Sequence, residues 1–294
     1  MLSILIPTYN YDVFPLAALL HKQCIACAID YEIIVLDDGS QSALNSENEK
    51  INTLVNSHFR SLDKNIGRSA IRNLLAAEAR YDWLLFLDAD TLPVNGKLVA
   101  NYLPYMNNEE KVVYGGILYQ EQKPQQNELL RWVYGNGREA VPAHRRIKKP
   151  YGTMLTLNFL IKKQVFNKVK FNEAIPNLRH EDTLFSYNLS QEKIKIEHIS
   201  NPVYHLGLQS SEIFIRKEEQ SAEVLKYLIE HNLITIDYVR VSHVHHYIKK
   251  LGLTSLAVLS FAMVKKLFRK NLTGSHPSLF VFDLYRLGYL CSLK

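Results

Sequence analysis

Trp83-Leu84-Leu85-Phe86-Leu87-Asp88-Ala89-Asp90 is the stretch that decides the fold. Five large apolar residues in a row predict a strand buried on both faces. Two carboxylates, one residue apart, follow at once. A strand that ends in Asp-x-Asp puts acid at the carboxyl edge of a sheet, where open α/β sheets bind their ligands. Carboxylates at that spacing reach one hard cation, or one cation and one ribose, and Mg²⁺ and Mn²⁺ favour oxygen donors. The plain alternative is that Asp90 caps the next helix and Asp88 is a turn residue.

The same pattern recurs upstream. Leu2-Ser3-Ile4-Leu5-Ile6 reads as a first strand, ended by Pro7, which cannot donate to a ladder, and followed by Thr8-Tyr9-Asn10. A helix is expected from about Asp12 to Cys27. Tyr31–Leu36 reads as a second strand and also ends in acid, Asp37-Asp38-Gly39-Ser40. A short strand near His58–Ser61, a loop at Gly67 and a helix over Ser69–Arg80 lead into the central strand. This alternation predicts an α/β fold, a mainly parallel sheet flanked by helices. The loops after residues 6, 36 and 87 then leave the same sheet edge, which groups Thr8, Asp38 and Asp90 into one site.

Downstream, Pro93–Tyr105 reads as a helix and Val112–Tyr119 as a strand. Residues 121–150 are polar, aromatic and basic, and read as an irregular stretch: an acceptor-binding loop or a solvated surface loop. Asp182 opens a helical pattern, where a carboxylate is also favoured by the helix dipole alone. Ile194–Ile199 reads as a strand, and Asn201–Gly207 closes the segment.

The 294 residues, 47% of them hydrophobic, suffice for one sizeable α/β domain plus an appendage, or for two small domains. The N-terminus enters the first strand without a basic region or cleavage site, so no signal peptide is expected. Three cysteines make no disulfide framework, and Cys24-x-x-Cys27 lacks a second pair for zinc and sits at a helix end. Both read as core cysteines. The net charge of +6 is uneven: from Arg240 onward there are nine Lys and Arg against one acid, Asp283, a net +8, while the rest carries a net −2. The basicity is therefore no general nucleic-acid coat.

Residues 212–233 and 238–270 read as helices. Leu251–Val264 holds no charge, but fourteen residues at 1.5 Å each reach only roughly 21 Å, short of a ~30 Å hydrocarbon core. Lys265, Lys266, Arg269 and Lys270 are expected on one helical face, with Val264, Leu267 and Phe268 on the other, the pattern of an interfacial anchor. A packed helical subdomain or a dimer interface is the alternative. His243, His245 and His246 read as polar-face residues.

Six motifs stand in order: Pro7-Thr8-Tyr9-Asn10, Asp37-Asp38-Gly39-Ser40, the run from Lys64 through Asn65, Gly67 and Arg72 to Asn73, Asp88-Ala89-Asp90, His180-Glu181-Asp182, and Val203-Tyr204-His205-Leu206-Gly207. Together they resemble family 2 glycosyltransferases of the GT-A (Rossmann-like) fold over residues 2 to about 210. The resemblance implies that Pro7, Thr8, Tyr9 and Asn10 line the nucleotide, with Tyr9 able to stack on the base. It implies that Asp38 accepts the imide N–H of uracil or thymine, that Asn65, Gly67 and Arg72 form the adjoining wall, and that Asp88 meets the ribose or the metal. Asp90 is the implied ligand of Mn²⁺ or Mg²⁺, and His205 matches a late metal ligand. Taken alone, a histidine after a strand is more often a hydrogen-bonded core or turn residue, and only the resemblance sets metal ligation for His205 level with that reading. Asp182 matches the catalytic base of an inverting transfer, with Glu181 beside it either placing the acceptor or lying in a surface ion pair.

The family often carries a Gly-Gly pair before the strand that leads to the late acidic motif. The corresponding stretch here is Tyr151-Gly152-Thr153-Met154, with Asn158 later, which leaves the donor-sugar pocket undefined. The implied division is a catalytic domain over 1–210, with 1–90 binding nucleotide and 91–210 the acceptor, and a helical extension over 211–294. The implied partners are a nucleotide-sugar donor, expected to be a UDP-sugar, and a glycan or lipid-linked acceptor, with no nucleic acid. The expected place is the cytoplasm at the inner face of the membrane, with 240–294 against anionic lipid. A sugar nucleotidyltransferase would need a Gly-rich triphosphate loop that Pro7–Asn10 does not offer, and a non-catalytic binding module is disfavoured by Asp90 and Asp182 occurring together.

Overall fold

A computed structural model describes residues 1–175 and 179–293; Lys294, at the end of the extension, lies outside them. The first half of the chain runs β1 (Leu2–Thr8), α1 (Phe14–Ala26), β2 (Tyr31–Asp37), α2 (Asn45–Asn48), β3 (Ser57–Ser61), α3 (Arg68–Glu78), β4 (Trp83–Leu87), β5 (Thr91–Pro93), α4 (Leu98–Tyr102), β6 (Lys111–Tyr114), β7 (Ile117–Leu118), α5 (Leu129–Tyr134) and α6 (Ala143–Arg146). It continues with β8 (Asn158–Lys162), α7 (Lys163–Val169), α8 (Glu181–Gln191), β9 (Lys195–His198), β10 (Val203–His205), α9 (Ser211–Glu230), α10 (Arg240–Lys250), α11 (Thr254–Leu272) and α12 (Leu279–Ser292).

The chain forms two compact units. The first takes the described residues of 1–118, 140–177 and 181–207. Its seven-stranded sheet has the order β3-β2-β1-β4-β8-β6-β9. β3, β2, β1 and β4 are mutually parallel, and β8 runs antiparallel to β4 and β6. Every residue of β4 is buried, as a continuous apolar run in a parallel sheet requires. Phe86 stacks on Phe159 at 4.9 Å and on Phe166 at 5.3 Å, and these rings anchor the core beneath the acidic edge.

Several elements differ from expectation. β1 runs through Pro7 to Thr8 instead of stopping before the proline. The ladder with β4 ends at Leu5, so Pro7 lies past the strand to which its missing N–H would have donated. The Pro93–Tyr105 stretch is not one helix: Thr91–Pro93 is a strand, and helix begins only at Leu98. This removes the helix-cap alternative for Asp90. The expected 112–119 strand breaks at Gly115-Gly116, where the Arg146 guanidinium fills the space a side chain at Gly116 would need. Residues 121–150 are largely short helical turns, α5 and α6 among them.

A three-stranded sheet, β5-β10-β7, completes the first unit. In it His205 lies opposite Thr91. Buried Asn158 ties the two sheets: its amide donates to the carbonyls of Gly116 (3.0 Å) and Asn201 (2.9 Å), and its carbonyl accepts from the Tyr102 hydroxyl at 2.8 Å.

The second unit takes the described residues of 119–139, 178–180 and 208–294. Leu130, Phe214, Ile215, Phe261, Leu272, Phe282 and Tyr285 form its core. Buried Glu218 accepts ion pairs from Arg179 (3.1 Å) and Arg286 (2.9 Å). Lys265 and Arg269 turn inward to Glu219, each at 3.7 Å, and Arg269 also pairs with Glu212. The expected basic face of α11 is therefore divided: Lys266 and Lys270 stay outside, on the same face as Leu267. No helix of the described residues is long and apolar enough to cross a membrane.

Candidate active site

The parallel register Thr8↔Asp37, together with the β1–β4 pairing, brings the ends of β1, β2 and β4 to one edge. The Thr8 carbonyl accepts the Asp38 N–H at 2.9 Å, so the first two loops are joined at their roots. Thr8 is buried, Pro7 half-buried and Tyr9 58% exposed, which leaves the Tyr9 ring open to a flat ligand. Asn10 adopts φ +50°, a conformation asparagine tolerates, and accepts a hydrogen bond from the Ser42 hydroxyl at 2.8 Å.

Asp37 and Asp38 do different work. Buried Asp37 accepts hydrogen bonds from Ser40 N–H (2.9 Å), Asn45 (3.0 Å) and Ser61 (2.7 Å). Burial opposes its charge, but these donors prevail and hold the carboxyl below the usual range. Asp38 accepts the main-chain N–H groups of Ile66 (2.7 Å) and Gly67 (3.0 Å), one on each oxygen. It thereby fixes the wall that carries Asn65, whose side chain is exposed. Gly39, at φ +66°, passes against the backbone of Lys64 and Asn65; a Cβ there would meet Asn65 N at 2.6 Å. Both the left-handed conformation and the close approach require glycine.

From α3, Arg72 reaches under this wall. Its Nη2 donates to Asp88 Oδ1 at 2.7 Å and its Nη1 to the Arg68 carbonyl at 3.1 Å. Burial works against the guanidinium charge, yet Asp88, Glu181 and Asp182 outweigh it and raise the Arg72 pKa. Burial pushes the Asp88 carboxyl upward; Arg72 opposes this and Asp90 adds to it. Two carboxylates this close call for positive charge between them.

Asp90 and His205 meet across the small sheet. Asp90 Oδ2 lies 3.4 Å from His205 Nε2, and the Asp90 carbonyl accepts Leu206 N–H at 2.8 Å. A Cβ at Gly207 would collide with Asp90 Oδ2, so glycine there makes room for the carboxylate. The two side chains are 31% and 14% exposed. Among the described residues no group of three or more His, Cys, Asp or Glu side chains encloses a metal. An oxygen and an imidazole donor, each part-exposed to solvent, do fit a divalent cation that takes its remaining ligands from phosphate and water. Asp88, expected as a further metal donor, is turned to Arg72.

Glu181 and Asp182 occupy the first turn of α8, where the helix dipole favours anions. Arg68 Nη1 donates to Glu181 at 3.4 Å, and Asp182 Oδ1 accepts Thr183 N–H at 2.7 Å. Both carboxylates act on Arg72 and so belong to the same charged edge. Three contributors were not singled out from the sequence. Tyr11, whose phenol pKa is raised by burial and then by the charges of Asp90 and Asp12, lies within the field of Asp90. Arg68 and Gly207 lie inside motifs already quoted, and their position there was the available signal.

A family model described as Glycosyl transferase family 2 matches residues 3–170, more than half of the chain. The chain belongs to glycosyltransferase family 2. It is 34% identical over 119 residues to Chondroitin synthase of Escherichia coli, covering 39% of this chain and 17% of that protein. It is 32% identical over 117 residues to the uncharacterized glycosyltransferase YfnE of Bacillus subtilis (strain 168), covering 40% and 30%. The chain thus matches less than a third of the length of either relative. Among solved structures, S. aureus TarS 1-349 in complex with UDP-GlcNAc superimposes with TM-score 0.51 at 18% identity, over 98% of this chain and 89% of the TarS 1-349 chain. Mannosyltransferase PcManGT from Pyrobaculum calidifontis, in complex with GDP-Man and Mn²⁺, gives 0.52 at 13% identity over 97% and 85%. At these identities the likeness establishes the GT-A fold alone.

Proposed function

We propose that this family 2 protein is an inverting glycosyltransferase. It would move a sugar from a nucleoside-diphosphate sugar, a UDP-sugar in this reading, to a hydroxyl of a glycan or lipid-linked glycan in polysaccharide synthesis. The observation that carries the proposal is the meeting of Asp90 with His205 beside the Arg72–Asp88 pair, on the edge where Thr8 and Asp38 also lie. Nucleotide sugars bound by TarS and PcManGT, and the name of the chondroitin synthase relative, support the donor and product classes.

In this reading Pro7–Asn10 hold the nucleotide, with Tyr9 against the base. Asp38 orders the Asn65–Gly67 wall and has lone pairs left for the base imide. Arg72 orients Asp88 toward the ribose. Asp90 and His205 would hold a Mn²⁺ or Mg²⁺, which when bound neutralises the charge gained by the departing diphosphate. Asp182 accepts the proton of the acceptor hydroxyl as its oxygen attacks the anomeric carbon and the bond to the diphosphate breaks. Glu181, steadied by Arg68, positions the acceptor. Residues 1–210 carry these roles, and 211–294 form an extension that meets an anionic membrane from the cytoplasmic side.

Thermal-shift titration with UDP, GDP, CDP and dTDP, each with and without Mn²⁺, tests the donor site. The expected result is a UDP shift that needs the metal and disappears in Asp90→Ala. An equal shift in Asp90→Ala would remove that residue from the metal site. No shift with any nucleotide would favour a binding module with another ligand.

A further inference from the structure

The second unit carries an apolar surface that its own core does not use. Along α11, Leu256, Leu259, Met263 and Leu267 are 60%, 61%, 74% and 66% exposed. Their three- and four-residue spacing places them on one face of the helix. Leu251, in the turn that precedes α11, is 68% exposed. The opposite face is already committed: Phe261 and Leu272 lie in the core, and Lys265 and Arg269 pair with acids of α9.

Charge accompanies the stripe. Lys266 and Lys270, three and seven residues beyond Met263, fall on the same face and are exposed, and Lys249 and Lys250 stand exposed just before Leu251. None of these four has a carboxylate within ion-pair distance among the described residues. Residues 240–282 contain seven Lys and Arg and no acid.

We infer that the outer face of α11, with the turn that precedes it, docks flat on a bilayer bearing anionic phospholipid. The leucines and Met263 enter the acyl boundary, and the lysines extend their stems along it to reach lipid phosphates. At 1.5 Å per residue the nineteen residues of α11 lie about 28 Å along the surface, a length suited to lying on it. A second copy of this chain is the poorer occupant, because an acid-free basic face set against itself brings like charges together. The inference gives the membrane contact of the proposed transferase its residues, and rests on that reading only for the lipid-linked acceptor.

The test is sedimentation of the full chain with vesicles of phosphatidylcholine alone and of phosphatidylcholine mixed with phosphatidylglycerol, at low and high salt. Binding is expected only to the anionic vesicles and is expected to weaken with salt. Each apolar side chain removed costs roughly tenfold, so Leu256→Ser, Leu259→Ser and Met263→Ser together reduce affinity roughly a thousandfold. Lys266→Gln and Lys270→Gln reduce it roughly fivefold each. Equal binding of the triple variant, or equal binding to both vesicle types, overturns the inference. So does a triple variant that turns a dimer into a monomer in light scattering while vesicle binding stays the same. The UDP thermal shift, read on the same variants, separates the two ideas: lost vesicle binding with an intact shift supports the docking face, and a wild type that binds vesicles without any nucleotide shift leaves the face standing while the donor assignment falls.

Discussion

Charged clusters occur in both units of this glycosyltransferase, and they are built to opposite ends. In the first, Asp90 and His205 face each other at 3.4 Å with side chains part-open to solvent. In the second, Glu218 is only 5% exposed and held by two arginines. Nearby, buried Arg131 pairs with Glu139 at 2.9 Å and lies over the rings of Tyr119 and Phe214, each at 5.2 Å. Burial and strong pairing mark the second cluster as structural. What distinguishes the first, in the proposed reading, is access: an oxygen and an imidazole 3.4 Å apart at a sheet edge, with both side chains part-exposed. A perturbed charge is thus a weaker guide to function than a charge with room beside it.

The sharpest way to break this comparison is Asp182→Asn. As the proposed general base, Asp182 is expected on removal to lower kcat by roughly 10²- to 10⁴-fold, while the UDP thermal shift is kept. Turnover at the wild-type rate in a product assay would return Asp182 to the role of a helix-start carboxylate. Glu218→Ala is expected to act on stability alone, by about 3 kcal/mol in denaturant unfolding, because two guanidinium groups lose their shared acid. If it instead removed the nucleotide response and left stability intact, the helical cluster would have to be read as part of the site.

A smaller effect comes from His198, buried against Arg146. Burial, and then the Arg146 charge, lowers its pKa from 6.5 to about 4. Its neutral form is the one the fold accepts, so its contribution is full above the unfolded value and is lost as pH falls from 6.5 toward 4. Urea midpoints across that window should decline in the wild type and flatten in His198→Gln once its own baseline is subtracted; parallel curves would assign the acid sensitivity to other groups. The smallest expected effect is at Cys24, whose thiol burial, and then Cys27, pushes up to about 12. It should resist alkylation at mild pH in the folded protein, and modification as fast as in the unfolded chain would refute the core assignment.

Much of the first unit was legible because its signals are contiguous. Trp83–Leu87 is apolar at every position, and Asp88 and Asp90 follow it directly, so the acidic edge needed no distant partner to be recognised. The parallel arrangement followed from strand and helix alternation, and it groups Thr8, Asp38 and Asp90. The glycine break after Tyr114, the continuation of β1 through Pro7 and the strand after Asp90 were misread, because each depends on what packs or pairs alongside. Residues 119–139 read as part of an irregular stretch, yet their helical turns bury Leu130 with Phe214 and Phe282 of the C-terminal helices.

By itself the sequence determined the α/β class, the mainly parallel sheet and the order of acidic loops along its edge. Hydrophobic period and turn chemistry are local properties, and each stretch declares them without reference to the rest. Only the tertiary structure decided that His205 meets Asp90, that Arg72 claims Asp88, and that Lys265 and Arg269 turn inward while Leu256, Leu259, Met263 and Leu267 face out. The reason is physical: a side chain's partner is set by pairing between segments far apart in the chain. The β5–β10 ladder, which joins Thr91 to His205, has no counterpart in any local pattern.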